Sequence, residues 1–297
     1  MAFILMPSVC RSVRSLLLIA LFIAGLLAAG PSATFATDLQ PETAQAYERY
    51  VRAAQARMAH EDKLPERFLY IESLPQTEQR AIWATLRRGD VWLDPLDATD
   101  ENGKTISAPH GTITHWVGAV FFPGASLQQV VGVVQDFDHL QEIYQPEIVR
   151  SRLISQNGET FHIFLRIHKD TAWVNPTFDV DSTVTFRQFD SSHAQNHVAS
   201  TRIVQIENAG KPDEHADSVG HDSGYLWRLN TYWRLEARDG GVVGEWEAIT
   251  LSRSIPFLLR WLVRPFVERL ARQTVRDELL ATRKAVERRV HGVKHEQ

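Results

Sequence analysis

The sequence has almost no cysteine: Cys10 is the one cysteine among 297 residues. It lies in an amino-terminal segment that we expect to be removed, so the mature chain would carry no thiol. This excludes disulfide bridges, a cysteine nucleophile and thiolate metal ligands, and a hydrophobic core must stabilise the fold. The sequence also lacks the G-x-S-x-G, G-x-G-x-x-G and phosphate-loop motifs, which argues against a serine-hydrolase elbow and against nucleotide binding.

A strong charge of one sign is also missing. The formal net charge is −4, and loss of the two arginines in the amino-terminal segment, which holds no acidic residue, would make it −6. A weakly acidic chain is not typical of nucleic-acid binding, so no nucleic-acid partner is predicted.

Metal-ligand spacing is absent as well, although the chain has 12 histidines. His162 and His168 share a strand face, but at six residues apart they are separated by about 20 Å. A polar loop holds further candidate ligands in a spacing that matches no recognised zinc site: His215, Asp217, His221 and Asp222. We therefore predict no metal and no cofactor.

Residues 1–36 have the pattern of a signal peptide. Arg11 and Arg14 precede the apolar run "SLLLIALFIAGLLAAG", and "ATFA" supplies small residues before a cleavage site after Ala36. The chain is therefore expected to be exported, to the periplasm or outside the cell. The alternative is an uncleaved membrane anchor, for which the apolar run is short.

Residues 37–105 are predicted to form an amino-terminal helical extension, with helices over 43–61 and 76–87. The main domain spans 106–290, followed by a tail, 291–297. "GTITHWVGAVFF" predicts a strand, Ser126 caps a helix, and period-two runs within 161–206 predict strands with no helix between them. This order indicates an antiparallel sheet, and the region after Pro256 predicts a long helix.

Three segments of this domain resemble a known family: "SLQQVVGVVQDFDHLQEIYQPEIVRSRLIS", "GYLWRLNTYWRLEARDGGVVGEWEAITLSR" and "LVRPFVERLARQTVRDELLATRKAV". With the element order, they are similar to the START-like (SRPBCC, helix-grip, Bet v 1-like) superfamily, in particular to exported bacterial members of unassigned function. The resemblance implies an α+β fold, in which a curved antiparallel sheet wraps around a long carboxy-terminal helix with a hydrophobic cavity between them. It implies no catalytic residue, because this fold hosts carriers, receptors and enzymes.

Aromatic residues are concentrated in "YLWRLNTYWRL", residues 225–235. Alternation along a strand would turn one set of these rings towards the long helix, opposite small residues of the next strand, as the wall of a cavity requires. The predicted ligand-binding residues are Tyr225, Trp227, Trp233, Trp246, Phe178, Val180, Phe186, Arg202 and Thr250. The alternative is that the helix fills this space completely.

Arg202 is included because it shares its phase with Val198 and Val204, which predicts an inward guanidinium able to pair with a ligand acid. An internal ion pair, or an arginine that reaches water near a strand end, is the alternative.

The segment after the sheet is rich in both apolar residues and arginine. We predict a gate, or a peripheral membrane contact, at Phe257, Leu258, Trp261 and Leu262. The alternative is a lid that packs on the domain with a solvated basic face.

These patterns predict binding, and with it transport, of a hydrophobic small molecule such as a lipid. A cyclase- or hydrolase-like enzyme using the same cavity is the alternative, with His168, Asp170 or Arg202 as its polar group. An interaction module without a cavity is the third reading.

Overall fold

The computed structural model describes residues 37–63, 67–170, 174–254 and 257–295, and it gives no account of the side chains of Thr37 and of residues 257–267 and 293–295. The predicted signal peptide, residues 1–36, lies outside the described residues. In the part of the chain that is described, no helix combines the length and hydropathy needed to cross a membrane.

Five helices and eleven strands follow one another in the described residues. The helices are α1 (Pro41–Glu61), α2 (Gln76–Arg87), α3 (Leu127–Val134), α4 (Leu140–Ile143) and α5 (Phe257–His295), with a 3₁₀ turn at Tyr70–Ser73. The strands are β1 (Thr37–Asp38), β2 (Trp92–Pro95), β3 (Gly111–Pro123), β4 (Ile148–Asn157), β5 (Thr160–His168), β6 (Thr177–Gln188), β7 (His193–Glu207), β8 (His215–Ala216), β9 (His221–Asp222), β10 (Arg228–Arg238) and β11 (Gly241–Arg253).

The sheet is antiparallel throughout, in the order β2-β3-β11-β10-β7-β6-β5-β4, with β8 added beside β7. Strands β1 and β9 form a separate pair. Helix α5 packs across one face of the sheet, here called the inner face. The predicted α+β helix-grip fold is confirmed, and the predicted extension adds one edge strand, β2, to the sheet.

The inner face carries two hydrophobic clusters. In the first, helix α5 packs on β3, β10 and β11 through Val275, Leu279, Val120, Trp233 and Trp246. In the second, the segment around α4 packs on β5, β6 and β7 through Phe137, Tyr144, Ile163, Phe178, Val180 and Ile203.

The opposite, outer face is covered by α1. Its predicted apolar stripe is confirmed as buried, at Tyr47, Tyr50, Val51, Ala54 and Met58. These residues pack on outward-facing residues of the sheet, among them Tyr232, Ile249 and Leu251. The central strands therefore have a helix packed on each face.

Some element ends differ from the sequence prediction. Ser126 caps α3 as predicted, because its hydroxyl accepts from the Gln129 amide and the Gln129 side chain accepts from the Ser126 amide. One helix up to Pro146 is what the sequence pattern indicates, whereas the observed helix ends at Val134 and α4 follows as a separate element. Helix α5 continues to His295, past the predicted end at Val290.

Candidate functional site

The candidate site lies at the centre of the inner face. In one cross-strand row Thr114, Thr250 and Leu229 stand side by side, and in the next Trp116 and Ala248 are paired. All five side chains are only partly buried, although β10 and β11 are central strands. The described side chains of α5 therefore cover these five residues, here called the uncovered region, only in part.

Trp233 and Trp246, two of the predicted ligand residues, lie beside this region. They face each other across β10 and β11 with ring centroids 6.5 Å apart. Both are buried in the cluster that contains Val275 and Leu279 of α5. They fill the space where α5 is close to the sheet, and so they close one end of the candidate site.

Four more predicted residues border the same face on the other side. Phe178 and Val180 are buried in the cluster around α4. Phe186 and Tyr225 pack against that cluster and remain partly buried, and the Arg253 guanidinium lies 5.2 Å from the centre of the Tyr225 ring. These four residues share the inner face with the uncovered region, to which Thr250 itself belongs.

Ser182 is an inner-face residue that the sequence reasoning missed. It lies between Val180 and Val184 on β6, is 2% exposed, and its hydroxyl has no hydrogen-bond partner among the described residues. Its cross-strand neighbour Ser200 is satisfied, since its hydroxyl accepts from the Leu229 amide at 2.9 Å. The sequence did contain a sign of this residue, because Ser182 is a polar side chain at a position where the alternation of β6 places apolar residues.

The prediction for Trp227 is wrong. Its ring packs with Tyr47 and Ile249 on the outer face, and its indole nitrogen donates to Asp222 at 3.2 Å. Strand β10 begins only at Arg228, so the alternation that fixes the direction of Trp233 does not extend to Trp227.

The inward direction predicted for Arg202 is also wrong. Its guanidinium lies 3.3 Å from the Asp181 carboxylate, and both side chains are largely exposed. The cause is a bulge: Asp181 pairs with Arg202 but Ser182 pairs with Ser200, so Thr201 is an extra residue that reverses the phase of β7.

The polar residues of the enzyme alternative do not meet on the inner face. His168 shares the outward phase of Arg166 on β5, and its Nδ1 lies 2.9 Å from the Thr177 hydroxyl. Asp170 is exposed beyond the end of that strand. Neither residue borders the uncovered region.

The predicted gate falls on the first turns of α5. Its backbone is helical from Phe257 onward, and the side chains of Phe257, Leu258, Trp261 and Leu262 lie outside the described residues.

A network of buried charges lies on the outer face, under α1. Arg57 donates to both oxygens of Glu247 at 2.6 Å, and His115 lies 2.7 Å from the same carboxylate. The Tyr50 hydroxyl lies 2.9 Å from the other nitrogen of His115. Burial alone would raise the pKa of Glu247, but His115 and Arg57 outweigh burial and lower it.

A second group of buried charges adjoins the first. Arg234 pairs with Glu61 and, at 2.7 Å, with Asp62. Glu245 accepts from the backbone amide of Tyr70 at 3.0 Å, and burial raises its pKa to about 7, with Arg234 acting in the opposite direction. These contacts join the extension to the sheet, which gives the network a structural role.

Several histidines and acids of the polar loop between β7 and β10 have partners within the loop or on neighbouring strands. His221 lies 2.5 Å from Asp38, and Asp222 accepts from the Gly224 amide and from Trp227. Among the described residues, no three histidine, cysteine or acidic side chains are grouped to hold a metal ion.

No family model matches the chain, and no curated protein matches it. It is similar to a STAR-related lipid transfer protein from Xanthomonas axonopodis, at 18% identity over 66% of this chain and 98% of the other, with a TM-score of 0.40. It is also similar to the Zhui aromatase/cyclase from Streptomyces sp. R1128 (16% identity, 60% and 96% coverage, TM-score 0.41) and to human STARD10 (11%, 75% and 85%, 0.40). The helix-grip fold is defined by the chain's own sheet order and by α5, and it is the fold that the sequence resemblance implied.

Proposed function

We propose that the chain binds an apolar small molecule, a lipid or another apolar metabolite, between the inner face of the sheet and α5. The observation that carries the proposal is the group of partly buried side chains at the centre of this face, including Leu229, Ala248 and Thr250. A close-packed core would bury them. An apolar ligand over them would remove the remaining surface from water, at about 25 cal/mol per Å².

Ser182 supports the proposal because its hydroxyl is buried without a partner. A buried hydroxyl left unpaired costs about 1–3 kcal/mol, and a ligand carbonyl or hydroxyl that reached it would remove this cost. A mainly apolar wall with one or two polar groups is typical of small-molecule sites.

Binding is preferred over catalysis because His168 and Arg202 lie on the outer side of the sheet. An interaction module without a cavity would need side chains of the protein to fill the inner face completely. The partly buried side chains at the centre of this face argue against that alternative.

The proposal includes a gate at the first turns of α5 and a peripheral membrane contact there. On the following turns the side chains of Arg269, Arg272 and Arg276 are exposed, which suits contact with anionic lipid. It also includes export directed by residues 1–36, so that the ligand would be met outside the cytoplasm.

Native mass spectrometry tests the proposal directly. The chain is expressed with residues 1–36, purified and weighed under native conditions, and its bound molecules are then extracted with solvent. A mass for cleavage after Ala36 and an apolar molecule near one-to-one are expected. A ligand-free protein that also takes up nothing from a mixed lipid extract would overturn the binding proposal.

A matched pair of variants locates the ligand. Thr250→Trp places an indole in the uncovered region, whereas Thr185→Trp adds the same group at an exposed position of β6. Thr250→Trp should lower ligand occupancy at least about tenfold and Thr185→Trp should leave it unchanged. Equal occupancy in both variants would place the ligand elsewhere.

A further inference from the structure

Helix α5 carries a row of polar side chains that faces the body of the protein. Thr274, Glu278 and Thr282 are four residues apart and therefore lie on one side of the helix. The Thr274 hydroxyl accepts from Lys169 at 3.2 Å, and the Thr282 hydroxyl lies 2.9 Å from that of Tyr144. Glu278 lies between these two contacts, and the charges that act on its carboxyl group are Glu147 and Lys169, the latter just after the end of β5.

Two carboxyl groups, Glu278 and Glu147, share one nearby ammonium group, Lys169. The Lys169 ammonium lies 2.5 Å from the carboxylate of Glu147 and so neutralises that group. Glu278 is partly buried, and within the described part of the chain no hydrogen bond or ion pair reaches its carboxyl group. Burial raises the pKa of Glu278 to about 8, with Glu147 acting in the same direction and Lys169 against it.

This carboxyl group stands at the edge of the apolar cluster around α4. Tyr144 belongs to that cluster, Ala281 of α5 packs against it, and Glu278 adds to the effect of burial in raising the pKa of Tyr144. A molecule lying along the inner face would therefore have its polar end within reach of a carboxyl group that has no partner.

We propose that Glu278 binds the ammonium group of an apolar amine whose hydrocarbon part lies against the inner face. This assignment rests on the proposed function and names the class of ligand. A cation would supply the missing partner of Glu278 and favour its ionised form, because charge-assisted hydrogen bonds to a carboxylate are stronger than neutral ones. An alkyl carboxylate would have to compete with Glu147 for Lys169, and an alcohol would form only a neutral hydrogen bond.

The test compares three molecules of equal chain length with the mature protein: decylamine, decanol and decanoate. Binding is measured by isothermal titration calorimetry at pH 7, below micelle-forming concentrations, for the wild type and for two variants. Glu278→Gln removes the proposed partner and keeps its shape. Asp277→Asn removes a carboxylate from the adjacent, exposed position, where its neighbour is Gln273, and serves as the control for net charge.

The wild type and Asp277→Asn should bind decylamine at least about tenfold more tightly than decanol, and Glu278→Gln should lose this preference while its affinity for decanol stays the same. Equal binding of the amine and the alcohol by the wild type, or an amine preference kept in Glu278→Gln, would overturn the amine assignment and leave the proposed function standing. If none of the three binds to the wild type, the proposed function fails and the amine assignment fails with it.

Discussion

Arg234 and Arg202 lie on neighbouring strands, β10 and β7, and have opposite surroundings. Arg234 is 1% exposed, pairs with Glu61 and Asp62, and lies 4.6 Å from the centre of the Phe68 ring. Arg202 pairs with a single carboxylate in water. Breaking a buried pair leaves an uncompensated charge, whereas an exposed pair contributes little, so the two arginines differ in their effect on stability.

Arg234→Ala should therefore lower the free energy of unfolding by up to about 3–5 kcal/mol, because Glu61 and Glu245 lose a buried positive charge and Glu61 alone keeps a second one, Arg57 at 3.0 Å. Arg202→Ala serves as the control and should cost less than about 1 kcal/mol. Urea denaturation followed by circular dichroism measures both values. Similar losses in the two variants would mean that the network under α1 does not stabilise the fold as described.

Two neighbouring serines give a second prediction for single residues. Ser182→Ala removes a buried hydroxyl that has no partner and should leave stability unchanged or raise it by up to about 1 kcal/mol. Ser200→Ala removes the acceptor of the Leu229 amide and should cost about 1–2 kcal/mol. Thermal unfolding of the ligand-free protein compares them, and a larger loss in Ser182→Ala would show that its hydroxyl has a partner.

At the scale of elements, hydrophobic periodicity predicted the helices and central strands well. The second helix of the extension was predicted over 76–87 and is observed as Gln76–Arg87. Strand β4 was not predicted, because an edge strand with two register shifts does not alternate regularly between buried and exposed residues. The bulge in β7 could not be predicted from the sequence either. Its one extra residue is the reason why Arg202 was assigned to the wrong face of the sheet.

The distance between α5 and the sheet depends on Gly118 of β3. A Cβ atom at this position would lie 2.6 Å from Leu93, 2.7 Å from Leu279 and 3.0 Å from Val275. Since real Cβ atoms do not approach so closely, a larger residue would push α5 away from the sheet. The glycine therefore allows the close packing that ends the candidate site on this side.

Gly118→Ala should cost about 1–3 kcal/mol of stability through this overpacking. Gly292→Ala is the matched control: Gly292 lies in α5 with nothing within 4 Å of the added Cβ, so it should stabilise by up to about 1 kcal/mol through helix propensity. Chemical denaturation measures both, and opposite signs are expected. A neutral Gly118→Ala would mean that α5 adjusts its position at little cost.

At the scale of the whole molecule, the sheet lies between α5 on its inner face and α1 on its outer face. Glu245 and Glu247 alternate with Trp246 and so point away from α5, but the extension buries them instead of leaving them in water. Period-two alternation gives the face of a residue and not what covers that face. For the same reason Phe178, Trp233 and Trp246 could be assigned to the inner face, whereas the unpartnered Ser182 and Glu278 required the packed structure.

Burial of acids inside this layered structure links its stability to pH. Burial raises the pKa of Glu278 to about 8 and that of Glu245 to about 7, from 4.5. An unfolded chain ionises these groups first. Their contribution to stability is therefore fully present below pH 4.5 and is lost as the pH rises towards 7 and 8. His197 acts in the opposite direction, because burial lowers its pKa.

The difference between a variant and the wild type isolates one group from the others. Glu278→Gln mimics the protonated carboxyl group, so it should match the wild type in stability near pH 5. At pH 9 it should be more stable by on the order of 2–4 kcal/mol, since one pKa unit corresponds to about 1.4 kcal/mol. Urea titrations at pH 5, 7 and 9 measure this, with Asp277→Asn expected to follow the wild type. A difference that stays constant with pH would mean that Glu278 ionises as readily in the folded protein as in the unfolded chain, and that its carboxyl group is not held in the low-dielectric space between α5 and the sheet.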